Sequence, residues 1–186
     1  MPARRKSSSR PGHVPATVAR RELLVGASDA TFRHFIHGLL AFSERVMAVR
    51  EGFGRLLGLS GIQYTVLISI AHLQEREEVS VGSIAAHLHF SGAFITTVTN
   101  QLERLGLIRK TRSAQDRRRA NLSTTARADE LLQSLAPHQR QVNDQLFEPL
   151  NRAQFVELAA QMDALVSAGD KAVALLQYLQ SARSAG

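Results

Sequence analysis

Residues Ser80–Thr125 read SVGSIAAHLHFSGAFITTVTNQLERLGLIRKTRSAQDRRRANLSTT. Two apolar-periodic runs, each headed by a serine, are followed by two strand-like runs, GLIRKT and NLSTT, on either side of RSAQDRRRA. Ser80 as N-cap, with Val81, Ile84, Ala85 and Leu88 turned inward, predicts a short helix. After a turn at His89–Phe90, Ser91 caps a second helix, which Gly106 ends from the C′ position, where a left-handed backbone is favoured. A helix–turn–helix that runs straight into a β-hairpin is a winged helix.

On a helical wheel, Ile95, Val98, Leu102, Leu105 and Phe94 of the second helix fall together and form its expected core face. Gly92, Ala93, Thr96, Thr97 and Asn100 fall opposite, behind Ser91, and no acid precedes Glu103. Such a face suits the major groove: small residues permit close approach, Asn matches adenine edges, and Thr or Ala matches the thymine methyl. Arg112–Ser123 holds four arginines, Arg112, Arg117, Arg118 and Arg119, with the single carboxylate Asp116. A cluster of arginines at a hairpin tip fits phosphates and a narrow minor groove, with Asp116 orienting a neighbouring guanidinium. The alternatives are a dull polar helix face and a solvated tip.

The rest of the chain agrees with a polyanionic partner. Its 186 residues carry a formal net charge of +7 and 44% hydrophobic content, enough for one domain with a core. There is no cysteine, which excludes disulfides, thiolate nucleophiles and zinc–thiolate sites. No run reaches the ~20 apolar residues of a spanning helix, and no apolar h-region follows the basic N-terminus. A soluble, cytoplasmic protein is expected. Aromatic residues make up 5% of the chain, few for stacking single-stranded bases.

Residues 1–28 place six cations before the first acid, Glu22, and read as a disordered basic tail. A long helix is expected over 29–57 on the spacing of Phe32, Phe35, Ile36, Leu39, Leu40, Val46, Val49 and Phe53, with Gly52, Gly54 and Gly58 loosening its end. Ser60 with Gln63 forms a capping-box start for the next helix, and Val79 suggests a short edge strand. From Thr125 another helix follows, which Pro137 should kink or break. Asn151 with Gln154 starts the last helix, striped by Phe155, Leu158, Ala159, Met162, Leu165, Val173, Leu176 and Leu179. The fold class is therefore mainly α with a small β-wing. A winged helix–turn–helix DNA-binding lobe (60–124, wing 107–124) is joined to long dimerisation helices from both chain ends (29–57 and 125–180), the whole of 29–180 forming one domain with 181–186 disordered. The outer helices carry more apolar surface than one short winged helix can cover, and a second copy is the simplest cover.

These residues resemble the MarR family of winged-helix transcription regulators, over about residues 30–165. The resemblance rests on Ser91 opening the recognition helix, on Ile95 and Thr96, on LERLGLI (Leu102–Ile108) and on Asp116–Arg117–Arg118 in the wing. Where the family shows an LTxxG pattern, this chain has Thr124-Thr125-Ala126-Arg127-Ala128. The resemblance implies a homodimer on a pseudo-palindromic double-stranded operator, with Asp116 paired to a wing arginine. It also implies a repressor released by a small aromatic acid or phenol.

His34, His37, Arg45 and Tyr64 are the candidates to line an effector pocket, although such residues are more often plain surface. His34/His37 and His87/His89 lack the carboxylate or cysteine partners of a metal site, so no metal and no cofactor is expected. No nucleophile–base pair, Gly-rich phosphate loop or paired carboxylates stand out, so no enzyme activity is expected. The competing reading is a basic architectural DNA-binding protein without an effector.

Overall fold

The computed structural model describes residues 15–112 and 120–184; the expected wing-tip residues Asp116, Arg117, Arg118 and Arg119 lie outside the described residues, as do residues 1–14 of the tail. The helices are α1 (Ala30–Leu56), α2 (Gly61–Leu73), α3 (Val81–Leu88), α4 (Gly92–Arg104), α5 (Ala126–Leu146) and α6 (Arg152–Ser184). The strands β1 (Ile108–Arg112) and β2 (Ala120–Thr124) lie between α4 and α5. They form one antiparallel ladder running from Ile108 opposite Thr124 to Arg112 opposite Ala120. The architecture is a winged helix–turn–helix within a mainly α chain, as the sequence indicates.

The chain divides into two compact units, Met1–Gln133 and Ser134–Gly186. The division falls inside α5, at the residue whose carbonyl would have accepted a hydrogen bond from position 137 had it not been proline. Pro137 nevertheless does not break the helix, which runs from Ala126 to Leu146. A proline removes one N–H and crowds one preceding turn, and the neighbouring turns keep their own bonds.

The core of the first unit is built around α2. Val66, Leu67 and Ile70 are fully buried there and meet Ile84 of α3, Ile95 and Leu102 of α4 and Leu122 of β2. Local signals set the helix starts. Ser60 and Gln63 form a reciprocal capping box, Ser80 does the same with Ser83, and the Ser91 hydroxyl accepts from the Phe94 amide at 3.2 Å. Helix α1 packs on α2 through Phe53, which meets Tyr64 edge-on at 5.6 Å, and the Gly61 amide donates to Glu51 at 2.6 Å. Gly54 makes this closeness possible rather than loosening the helix end, since a Cβ there would sit 2.7 Å from the Ser60 backbone. The strand expected near Val79 is a single bridge, in which the Leu122 amide donates to the Val79 carbonyl at 2.7 Å.

The described residues next to both ends make local structure. The Thr17 amide and hydroxyl donate to Asp29 Oδ2 at 2.8 and 2.9 Å, and Arg33 donates to Oδ1 at 2.5 Å. A 3₁₀ turn at Arg21–Leu23 lies in the segment between them. These bonds, that from the Thr17 amide foremost, hold the Asp29 carboxyl below its ordinary range. At the other end α6 continues to Ser184. In the second unit Asn151 and Gln154 cap α6 reciprocally, each amide donating to the other's side-chain oxygen at 3.0 Å. No residue of α6 is buried. Among the described residues no single helix is long and apolar enough to cross a membrane.

Candidate nucleic-acid interface

Helix α4 turns Ile95, Val98, Thr99 and Leu102 into the core. Phe94 and Leu105, expected on that face, are each about two-fifths exposed. They lie on its flank, some 70–90° round from its centre at 100° per residue, and Phe94 stacks at 5.2 Å on Phe90. Thr99 takes an inward place because its hydroxyl donates to the Thr96 carbonyl at 3.0 Å and so enters the core satisfied. At the far end Gly106 has φ +69°. Its amide donates to the Glu103 carbonyl at 2.9 Å, and that of Leu107 to Leu102 at 3.0 Å. This is a Schellman closure, which sends the chain straight into β1.

The opposite face is open. Ser91, Gly92, Ala93, Thr96, Thr97 and Asn100 are all exposed, as expected. The Thr96 hydroxyl donates to the Gly92 carbonyl at 2.8 Å, and that of Thr97 to the Ala93 carbonyl at 3.2 Å. With their protons spent on the backbone, both hydroxyls offer lone pairs outward, beside their methyl groups. Such a surface complements the amino groups and the thymine methyl of the major groove.

Lys110 braces this face, and the sequence reading overlooked it. From β1 its ammonium donates to Asn100 Oδ1 and pairs with Glu103 at 3.1 Å. One lone pair of the Asn100 oxygen is thereby taken and one remains, so two-point pairing with adenine stays available. The single carboxylate on this side of α4 is neutralised by the same ammonium. Strand alternation was the available signal, for Lys110 lies two residues after the buried Ile108 and shares its face.

The hairpin is fixed at its base. Gln74 at the end of α2 donates to the Thr124 hydroxyl at 2.7 Å and accepts from the Thr124 amide at 2.9 Å. The Val79 amide donates to the Asn121 side chain at 3.0 Å. Thr125 donates from its hydroxyl to the Gly106 carbonyl at 2.8 Å and accepts from the Ala128 amide at 3.3 Å, so it caps α5 although the usual glycine pattern is missing. Arg112 is exposed at the last described position of β1, leading into residues 113–119.

The effector candidates are not brought together within one chain. His34, His37 and Arg45 are exposed on α1, and His34 and Arg45 are separated by about 16 Å of helix rise. Tyr64 is buried, with the Arg50 guanidinium 5.9 Å from its ring centre.

Residues 57–119 match the model of the MarR family. A transcriptional regulator of Escherichia coli, the HTH-type regulator PapX, is 29% identical over 102 residues, which is 53% of this chain and 62% of that protein. The chain thus spans about three-fifths of the length of the curated relative it matches. Among solved structures, Staphylococcus aureus MepR in a DNA complex superposes with a TM-score of 0.61 at 19% identity, over 72% of this chain and 96% of that one. Streptomyces coelicolor AbsC, a MarR family regulator, reaches 0.66 at 17%, over 76% and 96%. Mycobacterium tuberculosis MOSR, in complex with DNA, reaches 0.58 at 18%, over 73% and 96%. At these identities the superpositions speak for the fold, and the family match speaks for the segment that carries the interface. By its winged helix–turn–helix segment, residues 57–119, this chain is similar to the MarR family.

Proposed function

We propose that this protein is a sequence-specific transcription regulator that binds double-stranded, pseudo-palindromic operator DNA as a homodimer. In this reading α4 enters the major groove through Ser91, Gly92, Ala93, Thr96, Thr97 and Asn100. Arg112 and the sequence-inferred wing residues Arg117, Arg118 and Arg119, with Asp116 as orienting partner, meet phosphates and the minor groove. The observation that carries the reading is the exposed, uncharged outer face of α4, braced against the wing strand by Lys110. An architectural DNA protein has no need of a helix whose polar groups are held in fixed directions. Regulation by repression, released by a small aromatic acid or phenol, is supported by the family resemblance.

The test is selection from random duplexes at physiological salt. The expected result is a preferred site with two related half-sites about one helical turn apart. Its affinity should exceed that for random DNA by ~10³ or more. Equal affinity for all duplexes would replace this reading with the architectural one. A thermal-shift screen of aromatic acids tests the effector. A true effector raises the melting temperature of the protein and also releases operator DNA.

A further inference from the structure

The contact between Lys110 and Asn100 fixes a direction as well as a distance. Lys110 stands opposite Leu122 in the β1–β2 ladder, and Leu122 is fully buried. The Lys110 side chain is itself only 20% exposed, as expected where an alkyl stem covers apolar surface and the ammonium emerges at its edge. There the ammonium meets Asn100 Oδ1 and Glu103. An ammonium has three donors and no acceptor, so of the two heads of the Asn100 amide it can hold only the oxygen. Arg104, the other cation beside Asn100, donates from Nε to the backbone carbonyl at 3.3 Å and not to the side chain. The amide is planar and its heads diverge. With the oxygen held to β1, the nitrogen lies on the side away from the strand.

We propose that Lys110 is a positioning residue that decides which operator strand carries the adenine read by Asn100; the inference rests on the proposed function, in which α4 lies in the major groove. Two-point pairing sets Asn100 Oδ1 against the adenine N6 amino group and Nδ2 against N7. Across the groove, N7 lies nearer the backbone of the adenine's own strand and N6 nearer the middle of the pair. Inverting the pair from A·T to T·A reverses that order. An amide free to turn over meets either order, but one whose oxygen is held to β1 meets one. Against the inverted pair its nitrogen faces the thymine methyl and its oxygen faces thymine O4, acceptor against acceptor. The Schellman closure at Gly106 ties β1 directly to the end of α4. The held direction is therefore fixed relative to the helix, and through the helix to the groove.

The competing account makes Lys110–Glu103 an ordinary surface ion pair, which contributes little and carries no information about bases. The two accounts differ in what they do to a ratio. The experiment uses the full-length protein and duplexes carrying the site that the parent chain selects. The contacted pair is the one whose preference Asn100→Ala erases. Duplexes with that pair as A·T, or inverted to T·A, in one half-site are titrated with the parent, Lys110→Met and Lys110→Arg. The parent should favour one orientation by about 5- to 150-fold, the discrimination of a single bidentate contact. Lys110→Met should bring the two orientations close to parity, whatever it does to affinity overall. Lys110→Arg, again a donor without an acceptor, should keep the preference.

If Lys110→Met weakens both duplexes alike and leaves their ratio unchanged, Lys110 is a structural ion pair and the proposal is overturned. A contacted pair without adenine would overturn it as well, as would an Asn100→Ala variant that alters no base preference. Each of these outcomes leaves the functional reading standing. A parent chain that selects no site at all sinks that reading, and this inference with it.

Discussion

Helices α4 and α6 solve opposite problems. Helix α4, 13 residues long, hides Ile95, Val98, Thr99 and Leu102 within its own chain and leaves a small polar face outside. Helix α6, 33 residues long, hides none of its residues, although half-exposed leucines, valines and aromatics run along it. An apolar side chain left in water forgoes about 1.5–3 kcal/mol of burial. A helix in the position of α4 is already satisfied, so its outer face is free to serve a polar partner. A helix in the position of α6 is unsatisfied, and its natural partner is another apolar protein surface. Under the proposed function, one chain thereby separates the surface that reads DNA from the surface that assembles.

The largest effect that would break this comparison is expected in α6. If the homodimer of the proposed function covers α6, Leu165→Asp buries one unpaired carboxylate from each copy, at a cost of roughly 6 kcal/mol or more for the two. The dimer dissociation constant should rise about 10⁴-fold. Sedimentation should show monomers at micromolar concentration, while methyl resonances of Ile95 and Leu102 stay in place. A variant that remains dimeric would mean that α6 is not the assembling surface.

Next in size come the reading residues. Thr96→Ala and Asn100→Ala should each cost about 1–3 kcal/mol at the contacted base pair and shift base preference, leaving the dimer intact. Arg118→Ala should weaken operator binding and lower the slope of log K against log salt by about 1. Unchanged selection profiles and an unchanged salt slope would remove α4 and the arginine cluster from the interface together.

A smaller effect, about 1 kcal/mol, is expected when the brace between β1 and α4 is removed. Lys110→Met frees Asn100 and leaves the Glu103 carboxylate uncompensated beside the surface proposed to face DNA. Operator affinity should fall several-fold, and adding Glu103→Gln should recover most of the loss. Such recovery is the coupling expected of contacting residues. If the double variant binds no better than Lys110→Met alone, the brace acts through geometry rather than charge.

What could be read in the sequence, and what could not, follows the range of the interaction. The caps at Ser60, Ser80, Ser91 and Asn151 and the closure at Gly106 join residues within a turn of one another, and local spacing announces them. The outward set on α4 was legible for the same reason, since a helix has one period. Thr99 was left off the core face, because a wheel does not show the carbonyl three residues back that satisfies its hydroxyl. Phe94 and Leu105 were placed inward by a face drawn too wide. The Lys110 brace spans ten residues and the Thr17–Asp29 latch twelve, both across a change of chain direction that periodicity does not encode. Pro137 was expected to kink or break its helix, and the helix is unbroken because the penalty is confined to one turn.

The smallest effect concerns Asp29, which belongs to neither α4 nor α6 and so serves as a control on their separation. Its carboxylate accepts from the Thr17 amide and hydroxyl and from Arg33, and those bonds lower its pKa in the folded chain. A group whose pKa is depressed by folding stabilises the folded form fully above its unfolded value, ~3.9 for aspartate. That contribution fades as pH falls through the lower folded value. The latch should therefore be closed at neutral pH and open only in acid. The measurement is the Thr17 amide resonance followed from pH 7 downward, with Asp29→Asn as reference. The resonance should hold steady until the pH drops below the ordinary aspartate range. In Asp29→Asn it should be displaced already at neutral pH, because the amide keeps one acceptor but loses the charge facing Arg33. At neutral pH this variant should dimerise and select the same DNA site as the parent chain. A change in either would place the segment from Thr17 to Arg33 in one of the two working surfaces and break the division between α4 and α6.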